Sequence, residues 1–232
     1  MGKASTTFTA PAGAPQQPRV LLLLPDRNTD GANDWSGAFR VEAGRTAALY
    51  QVPPEMIVQI DVSRTRIDRL HQLLRAIEAR DELDRVDFYC HGWTGGVQLG
   101  AYVADAPDLA RVLAPRARPD LAVALYACSS GASPEGHPVA PGGEGGFADV
   151  LRDALVAQGL TGAHVDAHTC VGHCCRNPFV RRFSAATPLG GEWLIDPVDM
   201  AFGTWRKKLK ETDLRLRYPL MSPQAIRAEV GA

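Results

Sequence analysis

Two residue pairs carry the chemistry in this sequence: His91-Gly92 and Cys128-Ser129, 37 residues apart between the imidazole and the thiol. Each follows directly on a stretch that reads as a buried strand, Val86 to Cys90 before the histidine and Leu121 to Ala127 before the cysteine. A thiol of ordinary pKa ~8.5 becomes a nucleophile when an imidazole takes its proton, and the same imidazole can then protonate a leaving amine. The pattern therefore predicts acyl transfer. Gly92 has no side chain, so its N–H can approach a substrate carbonyl, and with the N–H of Cys128 it would form an oxyanion hole. Ser129, Ser130 and Gly131 are small and leave the sulfur open.

For this to work, the two strands must be neighbours in one sheet, and the pattern of elements predicts such a sheet without fixing their order. Arg19 to Leu24 is a short apolar run ending in Pro25-Asp26, which suits a strand buried on both faces, expected here as the first and central one. Helices are predicted from about Phe39 to Gln51, from a cap at Ser63 to about Arg80 (with Ile67, Leu70, Leu73, Leu74 and Ile77 at helical spacing), near Pro107 to Leu113, and from Phe147 to Gln158. Further strands are predicted at Ile57 to Val62, Ala163 to Thr169 and Glu192 to Ile195, with a Gly-rich hairpin-like stretch after Gly92. Alternating strands and helices imply right-handed crossovers and a mostly parallel sheet of about six strands in a three-layer α/β/α sandwich. In such sheets ligands bind beyond the carboxyl ends of the strands, where His91 and Cys128 lie.

Length and composition bound the rest. A chain of 232 residues, 45% apolar and 22% charged, suits one main domain. Residues 1–18 read as a disordered lead, 19–205 as the domain, and 206–232 as a basic extension, with six basic and two acidic residues between Arg206 and Arg217, that packs on the domain or docks a partner. Net charge −1 gives no field to attract nucleic acid or an anionic membrane. Apolar runs such as Val20 to Leu24 are far short of the roughly 20 residues that cross a bilayer, so a cytoplasmic protein is expected. Only four of the 25 basic residues are lysine, a bias expected of a GC-rich bacterial genome. No Walker loop, no Gly-x-Gly-x-x-Gly fingerprint after a strand and no Gly-x-Ser-x-Gly elbow is present.

The blocks Val86-Asp87-Phe88-Tyr89-Cys90-His91-Gly92 and Val123-Ala124-Leu125-Tyr126-Ala127-Cys128-Ser129-Ser130-Gly131 resemble those of the caspase-like clan CD of cysteine peptidases, which includes caspases, metacaspases, gingipains, separase and bacterial CHAT domains. The Cys-Ser-Ser-Gly context is most similar to the separase and CHAT branch. The resemblance implies a caspase-like sandwich and a dyad of Cys128 and His91 without an obligatory third residue. It also implies no metal or other cofactor, and endopeptidase activity on a protein or peptide substrate directed by the residue before the cleaved bond. A protein partner would serve as activator. The chain departs from the family in having Tyr126 two residues before the cysteine, where caspases carry Gln and several Arg- or Lys-specific members carry Asp, so the specificity pocket cannot be copied. Asp26, Tyr126 and Arg176 are the candidate substrate-binding residues. Arg181 and Arg182 are read with Arg176 as loop arginines able to grip a carboxylate.

One rival constellation stands beside the dyad. His164, His168, Cys170, His173, Cys174 and Cys175 fall within twelve residues, and soft thiolate and imidazole ligands suit zinc. The alternative reading is then a non-catalytic binding or scaffold domain of the same fold, zinc-stabilised by this cluster. Its spacing matches no recognised zinc module, and the competing expectation is a strand leading into a loop that walls the substrate cleft.

Overall fold

The computed structural model describes residues 17–27, 36–134, 144–169, 177–187 and 191–207. The N-terminal lead up to residue 16, Arg176 with Cys170, His173, Cys174 and Cys175, and the basic extension from residue 208 lie outside the described residues.

Five consecutive apolar residues leave no polar face, so Val20–Pro25 (β1) is buried along its whole length. It pairs in parallel with Ile57–Ile60 (β2) on one side and Leu83–Tyr89 (β3) on the other. β3 pairs in parallel with Ala117–Tyr126 (β6), and β6 with His164–Ala167 (β7). Two antiparallel strands complete the sheet, Phe179–Ser184 (β8) and Glu192–Ile195 (β9), giving seven strands in the order β2-β1-β3-β6-β7-β8-β9. The apolar run expected at the centre therefore sits one strand in from the edge, where β2 covers its flank, and β6 takes the middle. The extra strand is β8. Its Arg181-Arg182 pair disguises the alternation in the sequence, and the structure satisfies both charges: Arg182 grips the Asp166 carboxylate with two 2.8 Å hydrogen bonds, and the Arg181 guanidinium lies 5.1 Å over the Trp193 ring. Arg181 and Arg182 are thus strand residues rather than loop arginines.

Side chains of a strand alternate between faces, and that alternation sorts the helices into two layers. Leu21, Leu23, Val86, Phe88, Val123, Leu125, Val165 and Ala167 share one core with Arg66–Glu78 (α2), Ala106–Leu113 (α3) and Phe147–Ala157 (α4). Val20, Leu22, Leu24, Tyr89, Ala124 and Tyr126 pack on the other side against Phe39 and Ala43 of Ser36–Tyr50 (α1), which meets Pro197–Phe202 (α5). The result is a three-layer α/β/α sandwich. α2 starts later than the sequence predicts. Ser63 gives both its N–H and hydroxyl to Asp61, and the hydroxyl of Thr65 instead accepts from the Asp68 N–H at 3.2 Å to cap the helix. Ile67, expected in the apolar stripe, faces solvent, while Leu70, Leu73 and Ile77 are buried. Among the described residues no helix is long and apolar enough to cross a membrane.

The α1 side of the sheet is not purely apolar. Arg85 and Asp87, two apart on β3 and both buried, form an ion pair at 2.7 Å. Burial outweighs the guanidinium and pushes the Asp87 carboxyl up to about 6. The folded chain thus holds this proton more tightly than the unfolded chain, whose aspartate has the ordinary value of 3.8. This contribution to stability is complete below pH ~3.8 and is lost as the pH rises to about 6, a change of roughly 3 kcal/mol. Denaturant titrations of the wild type and Asp87→Asn between these values should show the wild type losing stability relative to the variant by that order. Parallel curves would place the proton elsewhere.

Candidate active site

The register of β3 against β6 sets the site. Val86 pairs with Val123, Asp87 with Ala124, Phe88 with Leu125 and Tyr89 with Tyr126, and the Cys90 N–H continues the ladder to the Tyr126 carbonyl at 3.4 Å. The paired strands end at Tyr89 and Tyr126, and His91 and Cys128 each follow two residues later, beyond the carboxyl ends of these adjacent strands. On the other side of β3, Asp26 directly follows the end of β1. Asp26, His91 and Cys128 thus follow the carboxyl ends of a row of three adjacent parallel strands.

Each member of the row is held by identifiable contacts. The His91 ring meets the Phe39 ring of α1 edge-on, with centroids 5.3 Å apart. Its backbone is fixed from the hairpin Gly92–Trp93 (β4) and Gly96–Val97 (β5): Gln98 receives the His91 N–H on its side-chain oxygen at 3.3 Å and returns its own N–H to the His91 carbonyl at 2.8 Å. Gly92 is pressed onto the end of β6. A Cβ there would lie 2.7 Å from the Ala127 Cβ and 3.1 Å from the Cys128 carbonyl oxygen, so close approach requires glycine.

Cys128 is a half-buried thiol, and the chain turns sharply after it, with Ser129 in the left-handed region at φ 54°. Ser130 is buried and its hydroxyl donates back to the Ala127 carbonyl at 3.1 Å. The Gly131 N–H donates to the His168 carbonyl at 2.8 Å, with its Cα face against Ala167. α4 has no side-chain cap, and its first N–H groups are satisfied by the loops of the site: Phe147 donates to the Thr94 carbonyl and Ala148 to that of Ser130, both at 2.9 Å. These two bonds tie the hairpin after His91 and the turn after Cys128 to one helix N-terminus, whose dipole favours negative charge.

The proposed substrate residues fall in different places. The Asp26 carboxylate is engaged by Arg27 at 2.6 and 2.8 Å and by the Val62 N–H at 3.1 Å, and the Arg27 hydrogen bond holds it below the usual carboxylate range. Tyr126 is buried. Its ring stacks on Tyr89, with centroids 4.4 Å apart and planes 6° from parallel, and its hydroxyl donates to Asp196 at 2.9 Å and accepts from Arg85 at 3.2 Å. Of the metal-cluster candidates inside the described residues, His168 is buried with Nδ1 2.9 Å from the Phe179 carbonyl, and His164 lies 3.9 Å from Asp166 with burial lowering its pKa. Among the described residues no three metal-ligating side chains converge.

Sequence reasoning did not find Phe39, Gln98 or Asp196. The first two hold His91 from other elements, and Asp196 caps α5 through the Val198 N–H at 3.0 Å. The sequence did carry one signal: a tyrosine stands two residues before each member of the dyad. Compared with known proteins, the chain matches no family model, no curated protein and no solved structure.

Proposed function

We propose that this chain is a cysteine endopeptidase of caspase-like type, with Cys128 as nucleophile and His91 as general acid and base. The observation that supports the reading is the parallel pairing of β3 with β6, whose last partners, Tyr89 and Tyr126, stand two residues before His91 and Cys128. The Cys128 thiolate attacks the carbonyl carbon of a peptide bond, and the oxyanion is held by the N–H groups of Gly92 and Cys128. His91 gives its proton to the leaving nitrogen as the C–N bond breaks, leaving a thioester. A water molecule, deprotonated by His91, then attacks that thioester and releases the acid and the thiol. No metal or organic cofactor is needed for these steps. Asp26, Tyr126 and Arg176 remain the proposed substrate-binding residues.

The test is cleavage of a peptide library varied at the residue before the scissile bond, by the wild type and by Cys128→Ala in parallel. Cleavage by the wild type that disappears in the variant is the expected result, and the preferred residue reports the charge of the pocket. Cleavage that survives in Cys128→Ala would assign the activity to another group, and a wild type inert across the library would favour the scaffold reading.

A further inference from the structure

We infer that Tyr89 and Tyr126 are positioning residues for the dyad, a stacked clamp that fixes the distance between the strand ends bearing His91 and Cys128. The inference rests on the proposed Cys128/His91 dyad. The two tyrosines are direct partners in the parallel register, and each stands two residues before one member of the dyad. Just beyond this pair the Cys90 N–H bonds to the Tyr126 carbonyl at 3.4 Å, so the stacked rings lie where the ladder hands over to the loops that carry His91 and Cys128. The rings lie face to face at 4.4 Å and both are buried.

Each hydroxyl is anchored to a different helix of the same layer. That of Tyr89 bonds to Thr46 of α1 and, at 3.4 Å, to Asp87; that of Tyr126 bonds to Asp196, which caps α5, and to Arg85. The two hydroxyls thus share four buried polar partners, two each. Such groups are costly to bury unless mutually satisfied, and when satisfied they define one geometry. The clamp therefore converts the docking of α1 and α5 into a fixed spacing of thiol and imidazole.

A double-mutant cycle on alkylation tests this, because it reads the coupling between the two residues without requiring a substrate. Iodoacetamide reacts with the thiolate, and peptide mapping by mass spectrometry separates labelling at Cys128 from that at Cys90, which is buried with its thiol pushed up to about 12. In the wild-type background, His91→Ala should slow labelling of Cys128 by about tenfold or more. In a Tyr126→Leu background, the same change should alter the rate by less than about twofold, because the imidazole no longer reaches the sulfur. Tyr126→Phe, which keeps the stack, should retain most of the His91 dependence.

Full His91 dependence in Tyr126→Leu would overturn the clamp while leaving the dyad standing. No His91 dependence in the wild type would overturn the dyad reading, and the clamp with it. If Tyr126→Leu gives no cooperative thermal transition, Tyr89→Phe/Tyr126→Phe decides. It keeps both rings and removes both anchors, and should cut the His91 dependence at least about threefold, whereas an unchanged dependence would overturn the clamp.

Discussion

Cys128→Ala, His91→Ala and the double variant are expected to lower kcat/KM for the best library peptide by nearly the same factor, about 10⁴. Equal losses follow from the two side chains acting as one device. Without the imidazole, few thiols are ionised at neutral pH and the leaving amine departs unprotonated; without the sulfur, the imidazole has nothing to activate. Once either is gone, removing the other costs little more. The residual catalysis comes from binding and from backbone N–H groups, which the variants leave in place. Additive losses in the double variant would mean that the two residues act independently. A His91→Ala variant within about tenfold of the wild type would remove His91 from the mechanism, since general acid–base catalysis contributes about 10²-fold or more.

How much of the fold and site was legible in the sequence depends on whether a feature is local. The strands before His91 and Cys128 were readable because their second halves, Val86 to Tyr89 and Leu121 to Tyr126, are largely apolar, although the charged first half of each was not included. Their adjacency was not readable, because nothing in either strand encodes its neighbour. Only the register distinguishes His91 facing Cys128 from His91 facing a residue one pleat away, and a one-residue slip would turn a side chain to the other face of the sheet. The misplacement of β1 has the same origin. A run of five buried residues reports cover on both faces, which the two helical layers provide at a position one strand in from the edge as well as at the centre. β8 was missed because Arg181 and Arg182 break its apolar pattern, and the Trp193 ring and Asp166 carboxylate that receive them lie on other strands. The tyrosine pair was visible as residues but not as a stack, since tyrosine is an ordinary strand former and carries no mark of its partner.

Gly92→Ala is expected to reduce kcat/KM by about 10²-fold while leaving the chain folded, because the added methyl must displace the very strand end that carries the nucleophile. Its Cβ would stand 2.7 Å from the Ala127 Cβ and 3.1 Å from the Cys128 carbonyl oxygen. Carbon atoms rest at about 3.5–4.0 Å, so the ends of β3 and β6 must part by roughly 1 Å, at a cost of about 1–3 kcal/mol. That stability loss is tolerable for a domain, whereas a displacement of this size between imidazole and thiol is not tolerable for catalysis. The geometry also names a suppressor. In Gly92→Ala/Ala127→Gly the closest contact disappears and only the tighter-than-usual approach to the Cys128 carbonyl remains, so much of the lost activity should return even though a second residue has been changed. Gly44→Ala is the control, since nothing lies within 4 Å of a Cβ at that position in α1, and its melting temperature should hold or rise. Measured side by side, these variants separate a close backbone approach from a general intolerance of change. A second substitution that failed to restore activity would show that Gly92 matters for a reason other than its contact with Ala127.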